Sequence, residues 1–253
     1  MERASAILLC AGFGTRLKPM TDYIPKPAID FLGKPMVWYA MAALGRAGIK
    51  SFAANVHHLP EKMADTLGKC AENLGLPPVA VYHENGQILG TGGGARMCLE
   101  LLPPSENYII YHGDVLCGTD VSRALNAHIA SGAQVTMVVA PRPPESKLGM
   151  VGIDKQSHVV RIRDWMPPNI LHPEEISPCC FTGIHILRRE ILQSLPRLEN
   201  TCLVTQVYPA MMNRSDPIHG HLVEDFFADI GTPDTYLDAQ CRILRNPELL
   251  PLK

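Results

Sequence analysis

The sequence predicts an α/β fold: a mostly parallel, mixed sheet with helices on both faces. Three observations carry this. Residues 5–11 are small and apolar almost without a break, as in a strand buried on both faces. Strand-like and helix-like periods alternate from there to about residue 140. A glycine-bearing loop leaves the first strand, and open α/β sheets bind ligands at the carboxyl ends of their strands. Composition agrees: 253 residues, 46% apolar and 19% charged, is the balance of a folded chain. A net charge of −2 gives no electrostatic case for a nucleic-acid or membrane partner. No apolar run reaches membrane-spanning length and no secretory cleavage pattern opens the chain, so a cytoplasmic protein is expected. The eight cysteines contain no C-x-x-C spacing. Most are read as small buried apolar side chains, with the adjacent Cys179 and Cys180 the only candidate redox pair.

The loop after the first strand gathers Ala11, Gly12, Gly14, Thr15 and Arg16. Two glycines let backbone approach a ligand closely. Successive N–H groups in such a loop form a concave anion site. Thr15 adds a hydroxyl and Arg16 a permanently charged planar fork suited to phosphate. Lys26 follows, stiffened between Pro25 and Pro27. Neither the dinucleotide fingerprint nor the P-loop is met: Leu17 stands where a third glycine is needed, and no Gly-Lys-Ser/Thr follows.

Residues 28–32 are short and apolar. Residues 36–47 read as a helix with Pro35 at its start and Gly48 past its end. Residues 52–56 form a strand, 60–74 a helix closed by Gly75, and 79–82 a strand. The run Gly90, Thr91, Gly92, Gly93, Gly94 is too glycine-rich for a helix interior, so helix is expected only from 95 to 102. Residues 108–112 form a buried strand ending at Gly113-Asp114. An aspartate there reads either as a turn residue or as a carboxylate holding a divalent cation beside phosphates. With a phosphate loop upstream, the metal reading is preferred. Residues 121–131 form a helix, 134–140 a strand, and the prolines of 141–144 a stiff exit. Strands at 150–153, 159–162 and 181–187 then lie close together and point to an antiparallel second half. Residues 188–195 and 202–213 read as helices. His219 and His221 are read as strand or turn residues rather than a metal pair. Phe227-Ala-Asp229-Ile-Gly231-Thr-Pro233 precedes a helix to about 244, and 245–253 is expected to be loose.

The whole pattern resembles the sugar-1-phosphate nucleotidylyltransferases. The run Gly12-x-Gly14-Thr15-Arg16-x-x-Pro19-x-Thr21 with Pro25-Lys26-Pro27, the segment Leu89 to Gly94, Gly113-Asp114, and Asp229-Ile-Gly-Thr232 occur in the family's order. The resemblance implies a single nucleotidyltransferase domain over 1–253. Residues 1–140 would be mainly the nucleotide-binding half, 141–232 mainly the sugar-phosphate half, and 233–253 a C-terminal helix and tail. The implied sheet is Rossmann-like, of the nucleotide-diphospho-sugar transferase type. The implied reaction joins an NTP to a sugar 1-phosphate, giving an NDP-sugar and pyrophosphate, with Mg²⁺ as cofactor.

By the same resemblance, Arg16 and Lys26 are catalytic and Asp114 and Asp229 hold the metal. Ala11, Gly12, Gly14, Thr15, Thr91, Gly92 and Gly93 bind nucleotide. Glu84 fits either a base-edge acceptor or a surface carboxylate. Asp164 and Gly183 fall on the sugar-phosphate side. His112 replaces a family asparagine and Trp165 a family lysine, which leaves the acceptor phosphate to Arg161 or Arg163. Compact muramate uridylyltransferases and mannose or heptose guanylyltransferases are most similar. A cytidylyltransferase for a non-sugar phosphate such as phosphocholine, or a non-catalytic nucleotide-sugar regulator, are the alternatives. Partners are the NTP and sugar phosphate, with no nucleic acid and no membrane; a homo-oligomer is left open.

Overall fold

The computed structural model describes residues 2–142, 150–167 and 177–250. The first strand, β1 (Glu2–Leu9), sits mid-sheet with Ala6, Ile7 and Leu8 wholly buried. Burying side chains the size of Ile7 and Leu8 stabilises by about 1.5–3 kcal/mol each. A small hairpin follows, β2 (Asp30–Phe31) and β3 (Lys34–Pro35), then α1 (Met36–Arg46), β4 (Phe52–Val56), α2 (Pro60–Leu74) and β5 (Val79–His83). Next come α3 (Gly90–Cys98), β6 (Ser105–His112), β7 (Val115–Cys117), α4 (Val121–Ser131), β8 (Val135–Pro141), β9 (Met150–Ile153) and β10 (Val159–Ile162). The chain closes with β11 (Ser177–Arg188), α5 (Arg189–Gln193), α6 (Tyr208–Asn213), β12 (Ile218–Leu222), β13 (Phe227–Asp229) and α7 (Pro233–Arg245).

The central sheet runs β10-β9-β11-β6-β1-β4-β5, with β8 lying along β11 and β12 along β8. Strands β6, β1, β4 and β5 are parallel, and β11 runs antiparallel to β6, β8 and β9. The sheet is therefore mixed, with its parallel half first, as the change of texture after residue 149 suggests. Two apolar layers cover it. One joins α1, α2 and α4 through Met41, Leu44, Leu67 and Leu125. The other joins α3, α5 and α6 through Cys98, Leu192 and Met211. Cys10, Cys70, Cys98, Cys117, Cys179 and Cys180 are buried thiols, as read from their spacing.

Three expectations need correction. First, the glycine run is helical: α3 begins at Gly90 and includes Gly92, Gly93 and Gly94. Packing overrides propensity there. A Cβ on Gly93 would lie 2.3 Å from the Glu199 carbonyl oxygen, and one on Gly94 2.3 Å from Asn55 Nδ2. Only glycine lets this helix press against the 199–201 segment and β4. Second, the tail is docked up to residue 250: Leu250 is buried, and the Leu249 carbonyl oxygen lies 2.4 Å from where a Gly118 Cβ would be. Third, the helix expected from 202 opens as one wide turn, Leu203–Val207, before α6. Residues 143–144 of the proline-rich exit and 251–253 of the tail lie outside the described residues.

Candidate active site

The loop after β1 forms one wall of a cavity of about 300 Å³ lined by Gly12, Gly14, Thr15, Arg16, Lys26 and Asp114, among others. Gly14 has φ +62°, and a Cβ there would lie 2.9 Å from both Lys26 Cβ and Thr21 Cγ2. It needs glycine for conformation and for space. Thr21 pins the turn by donating its hydroxyl to the Gly14 carbonyl at 3.1 Å. Gly12 differs: nothing stands within 4 Å of its missing Cβ, because the cavity lies beside it. Thr15 opens a single tight turn, Thr15–Leu17. The Arg16 guanidinium lies against the Gly231 backbone, 2.8 Å from where a Cβ would stand.

Lys26 is the buried cation of the site, 6% exposed. Its Nζ donates to Asp114 Oδ2 at 2.5 Å and lies 4.0 Å from Asp229 Oδ1. Two very short strands make this meeting. Strand β13 pairs antiparallel with β7, opposing Asp229 to Val115, the residue after Asp114. Gly113 lets the end of β6 pass beneath the loop, since a Cβ there would lie 2.7 Å from Cys10 Sγ. Burial alone would raise the Asp114 pKa, but Lys26, with help from His112, outweighs it and holds the carboxyl below its usual range. His112 itself is pushed down by burial, against the opposing pull of the Asp114 and Asp229 carboxylates.

A second wall is built from Ile88, Gly90 and Thr91. Thr201 clasps it: its N–H donates to the Leu89 carbonyl at 2.9 Å, and its carbonyl accepts from Gly92 N–H at 2.7 Å. Thr91 lines the cavity, but Gly92 and Gly93 turn toward residues 199–201 instead. Close packing is what requires glycine at both, and neither is among the described residues lining the cavity. The reading of Glu84 is corrected. It is neither a surface carboxylate nor turned to the cavity. It is 4% exposed, accepts from Asn55 Nδ2 at 2.7 Å and from the Leu89 N–H at 2.8 Å. Asn55 Oδ1 in turn accepts from the Cys10 N–H at 3.0 Å. This chain of hydrogen bonds ties the glycine loop to the second wall.

On the sugar-phosphate side the expected residues are not brought together. Asp164 is exposed in the turn after β10 and is not among the described residues lining the cavity. Gly183 is one layer back, at φ +84° in the bulge of β11, where a Cβ would meet Val115 at 2.9 Å and His112 at 3.3 Å. Trp165 packs against the apolar layer under α3 and α5 rather than offering a charge. Asn55, Ile88 and His112 line the cavity without having been read as site residues. The one available signal was position: each ends or follows a strand of the parallel half.

The two metal candidates converge through Lys26, with side chains 28% and 26% exposed for Asp114 and Asp229. Among the described residues no group of three or more His, Cys, Asp or Glu side chains is arranged to hold a metal. Two carboxylates still fit Mg²⁺, which takes few protein oxygens and fills its remaining positions with water and substrate phosphate. They would not fit a site closed by protein alone. No helix among the described residues is long and apolar enough to cross a membrane.

The chain is similar to several known proteins. The mannose-1-phosphate guanyltransferase of Schizosaccharomyces pombe is 30% identical, over 97% of this chain and 67% of its own length. Mannose-1-phosphate guanyltransferase beta-A of Xenopus laevis is 27% identical, over 95% and 65%. The chain thus spans about two thirds of the length of these relatives. Among solved structures, HddC from Yersinia pseudotuberculosis superposes with a TM-score of 0.76 at 22% identity, over 94% of this chain and 99% of its own. That protein has also been solved complexed with GMP-PN. A putative glucose-1-phosphate thymidylyltransferase from Bacillus anthracis superposes at 0.77 with 16% identity, over 96% of each chain. These neighbours share the nucleotide-diphospho-sugar transferase fold. The nucleotidyl transferase family model matches residues 5–246, and the chain belongs to that family.

Proposed function

We propose that the chain is a sugar-1-phosphate guanylyltransferase, converting GTP and an aldose 1-phosphate to a GDP-sugar and pyrophosphate. The observation that carries this is Lys26, buried between Asp114 and Asp229 at the cavity floor beneath the glycine loop. The names of the relatives support guanine as the base and mannose 1-phosphate as the first acceptor to try.

In the reaction, an oxygen of the acceptor phosphate forms a bond to the α-phosphorus, and the bond from that phosphorus to the pyrophosphate oxygen breaks. Two anions must meet, so positioning and charge neutralisation supply most of the acceleration. The N–H groups of Gly12, Gly14 and Thr15 hold the triphosphate. Arg16, steadied against Gly231, takes up charge on the leaving pyrophosphate. Lys26 reaches the α-phosphate and the incoming phosphate from below. Asp114 and Asp229 would hold Mg²⁺, which would polarise the α-phosphate. No covalent bond to the protein is required. Dependence on a nucleoside triphosphate argues for a cytoplasmic enzyme.

The test is product identification by mass spectrometry after incubation with each of four NTPs and a panel of sugar 1-phosphates plus phosphocholine, in Mg²⁺. The expected result is a GDP-sugar, with mannose 1-phosphate or a close relative as acceptor. CDP-choline, or bound nucleotide with no product from any pair, would overturn the reading.

A further inference from the structure

One side chain in the cavity wall is left unused by these steps. His112 ends β6, opposite Leu9 of β1, and lines the cavity two residues before Asp114. Its Nε2 is sealed from solvent and has no hydrogen-bond partner among the described residues. Behind it lies His185, wholly buried, with ring centroids 5.7 Å apart. His185 Nε2 is likewise without a partner among the described residues. Its Nδ1 stands 2.7 Å from the Tyr208 hydroxyl. Phe181 packs edge-on to His112 at 5.9 Å, and Gly183 leaves the room for it.

Where the protons sit follows from counting. Tyr208 is wholly buried, and its phenol proton needs an acceptor. If His185 held its proton on Nδ1, the phenol proton and the His185 Nε2 lone pair would both be stranded. If the phenol donates to Nδ1, only the His185 Nε2–H remains to be placed. The orphaned lone pair of His112 Nε2 is the matching acceptor, reached directly by a small ring shift or through one water. That leaves the proton of His112 on Nδ1. With Nε2 turned inward, the ring edge carrying Nδ1 is the one left for the cavity.

The topology says which substrate this edge meets. The Asn55–Glu84–Leu89 tie and the Gly90 wall lie on the β4 and β5 side of β1. His112 lies on the other side, toward β6 and the β11 bulge. We propose that His112 determines acceptor specificity. The Tyr208–His185 pair holds it as the Nδ1–H tautomer, and it donates a hydrogen bond to a hydroxyl or phosphate oxygen of the sugar 1-phosphate. This rests on the nucleotidyl-transfer reading above.

The test combines steady-state kinetics of His112→Phe and Tyr208→Phe with ¹⁵N-histidine NMR of the wild-type chain. His112→Phe keeps the ring and removes both nitrogens. The acceptor KM should rise at least tenfold while the GTP KM stays within twofold. Tyr208→Phe should raise the acceptor KM in the same direction by less, and shift His112 toward the Nε2–H tautomer. In wild type the His112 signal should report Nδ1–H. An unchanged acceptor KM, a parallel rise of both KM values, or a wild-type Nε2–H tautomer would overturn the proposal. Should His112→Phe fail to fold, Tyr208→Phe and the wild-type spectrum decide. A wild-type chain that turns over no substrate pair would instead overturn the underlying reading, and the absent wild-type rate marks that case.

Discussion

Lys26 Nζ and Asp114 Oδ2 meet at 2.5 Å across a separation of 88 residues, with Lys26 buried and Asp114 open to the cavity on one side. A cation so placed offsets part of the charge of the two carboxylates before substrate arrives and stays close to where phosphate charge develops. Lys26→Ala should lower kcat by about 10²–10³, the loss typical of removing one preorganised charge-stabilising donor. It also leaves two carboxylates facing each other. A fall in stability of about 1–3 kcal/mol is expected, below the full cost of a broken buried pair because Asp114 is partly solvated. Kinetics and urea unfolding of one variant check both. A Lys26→Ala chain with unchanged turnover would remove Lys26 from the chemistry.

Gly12 and Gly14 should part company on substitution. Gly14→Ala forces a side chain into φ +62° against Lys26 and Thr21. It should destabilise by about 1–3 kcal/mol and lose activity with the fold. Gly12→Ala has open space and should keep its melting temperature while weakening GTP binding at least tenfold, because the added methyl occupies cavity. Calorimetry on both, with nucleotide titration of Gly12→Ala, checks this. Tight GTP binding by Gly12→Ala would move the triphosphate elsewhere.

Glu84→Gln keeps the shape but weakens the acceptor for Asn55 and Leu89. We expect a loss of about 1–3 kcal/mol and an equal fall in affinity for every base, because the residue holds the wall rather than reading the base. A selective change in guanine preference would contradict that role.

Acid should unfold this chain through histidine. His128 is buried between Thr136 and Asn107, and burial lowers its pKa from 6.5 to about 4. His185, His219 and His221 are lowered too, mainly by burial. The unfolded chain binds these protons and the folded chain resists them. Stability is therefore full above about pH 6.5 and falls as pH drops toward 4. His128 alone contributes a slope of at most about 1.4 kcal/mol per pH unit. His128→Asn, followed by unfolding at stepped pH, should flatten the profile between those values. An unchanged slope would rule His128 out.

The sequence showed most of the parallel half because its signals are local. An unbroken apolar strand, glycine at a tight turn, and proline and glycine at helix ends all act over a few residues. What it hid depends on distant partners. Strands β7 and β13 are three residues each, too short for any periodicity, yet their pairing brings Asp229 to Asp114. The α3 glycines read as loop because the 199–201 backbone that demands them lies a hundred residues on. Glu84 looked free because its partners, the Asn55 amide and the Leu89 N–H, are visible only once β4 and β5 are paired.

The most direct measurement is pyrophosphate release from GTP with mannose 1-phosphate in Mg²⁺, comparing wild type with Asp114→Asn at matched folded concentration. Steady release by wild type, reduced at least a hundredfold in the variant, is the expected result. Release by both at similar rates, with the variant folded, would contradict the assignment of chemistry to the Lys26–Asp114–Asp229 cluster.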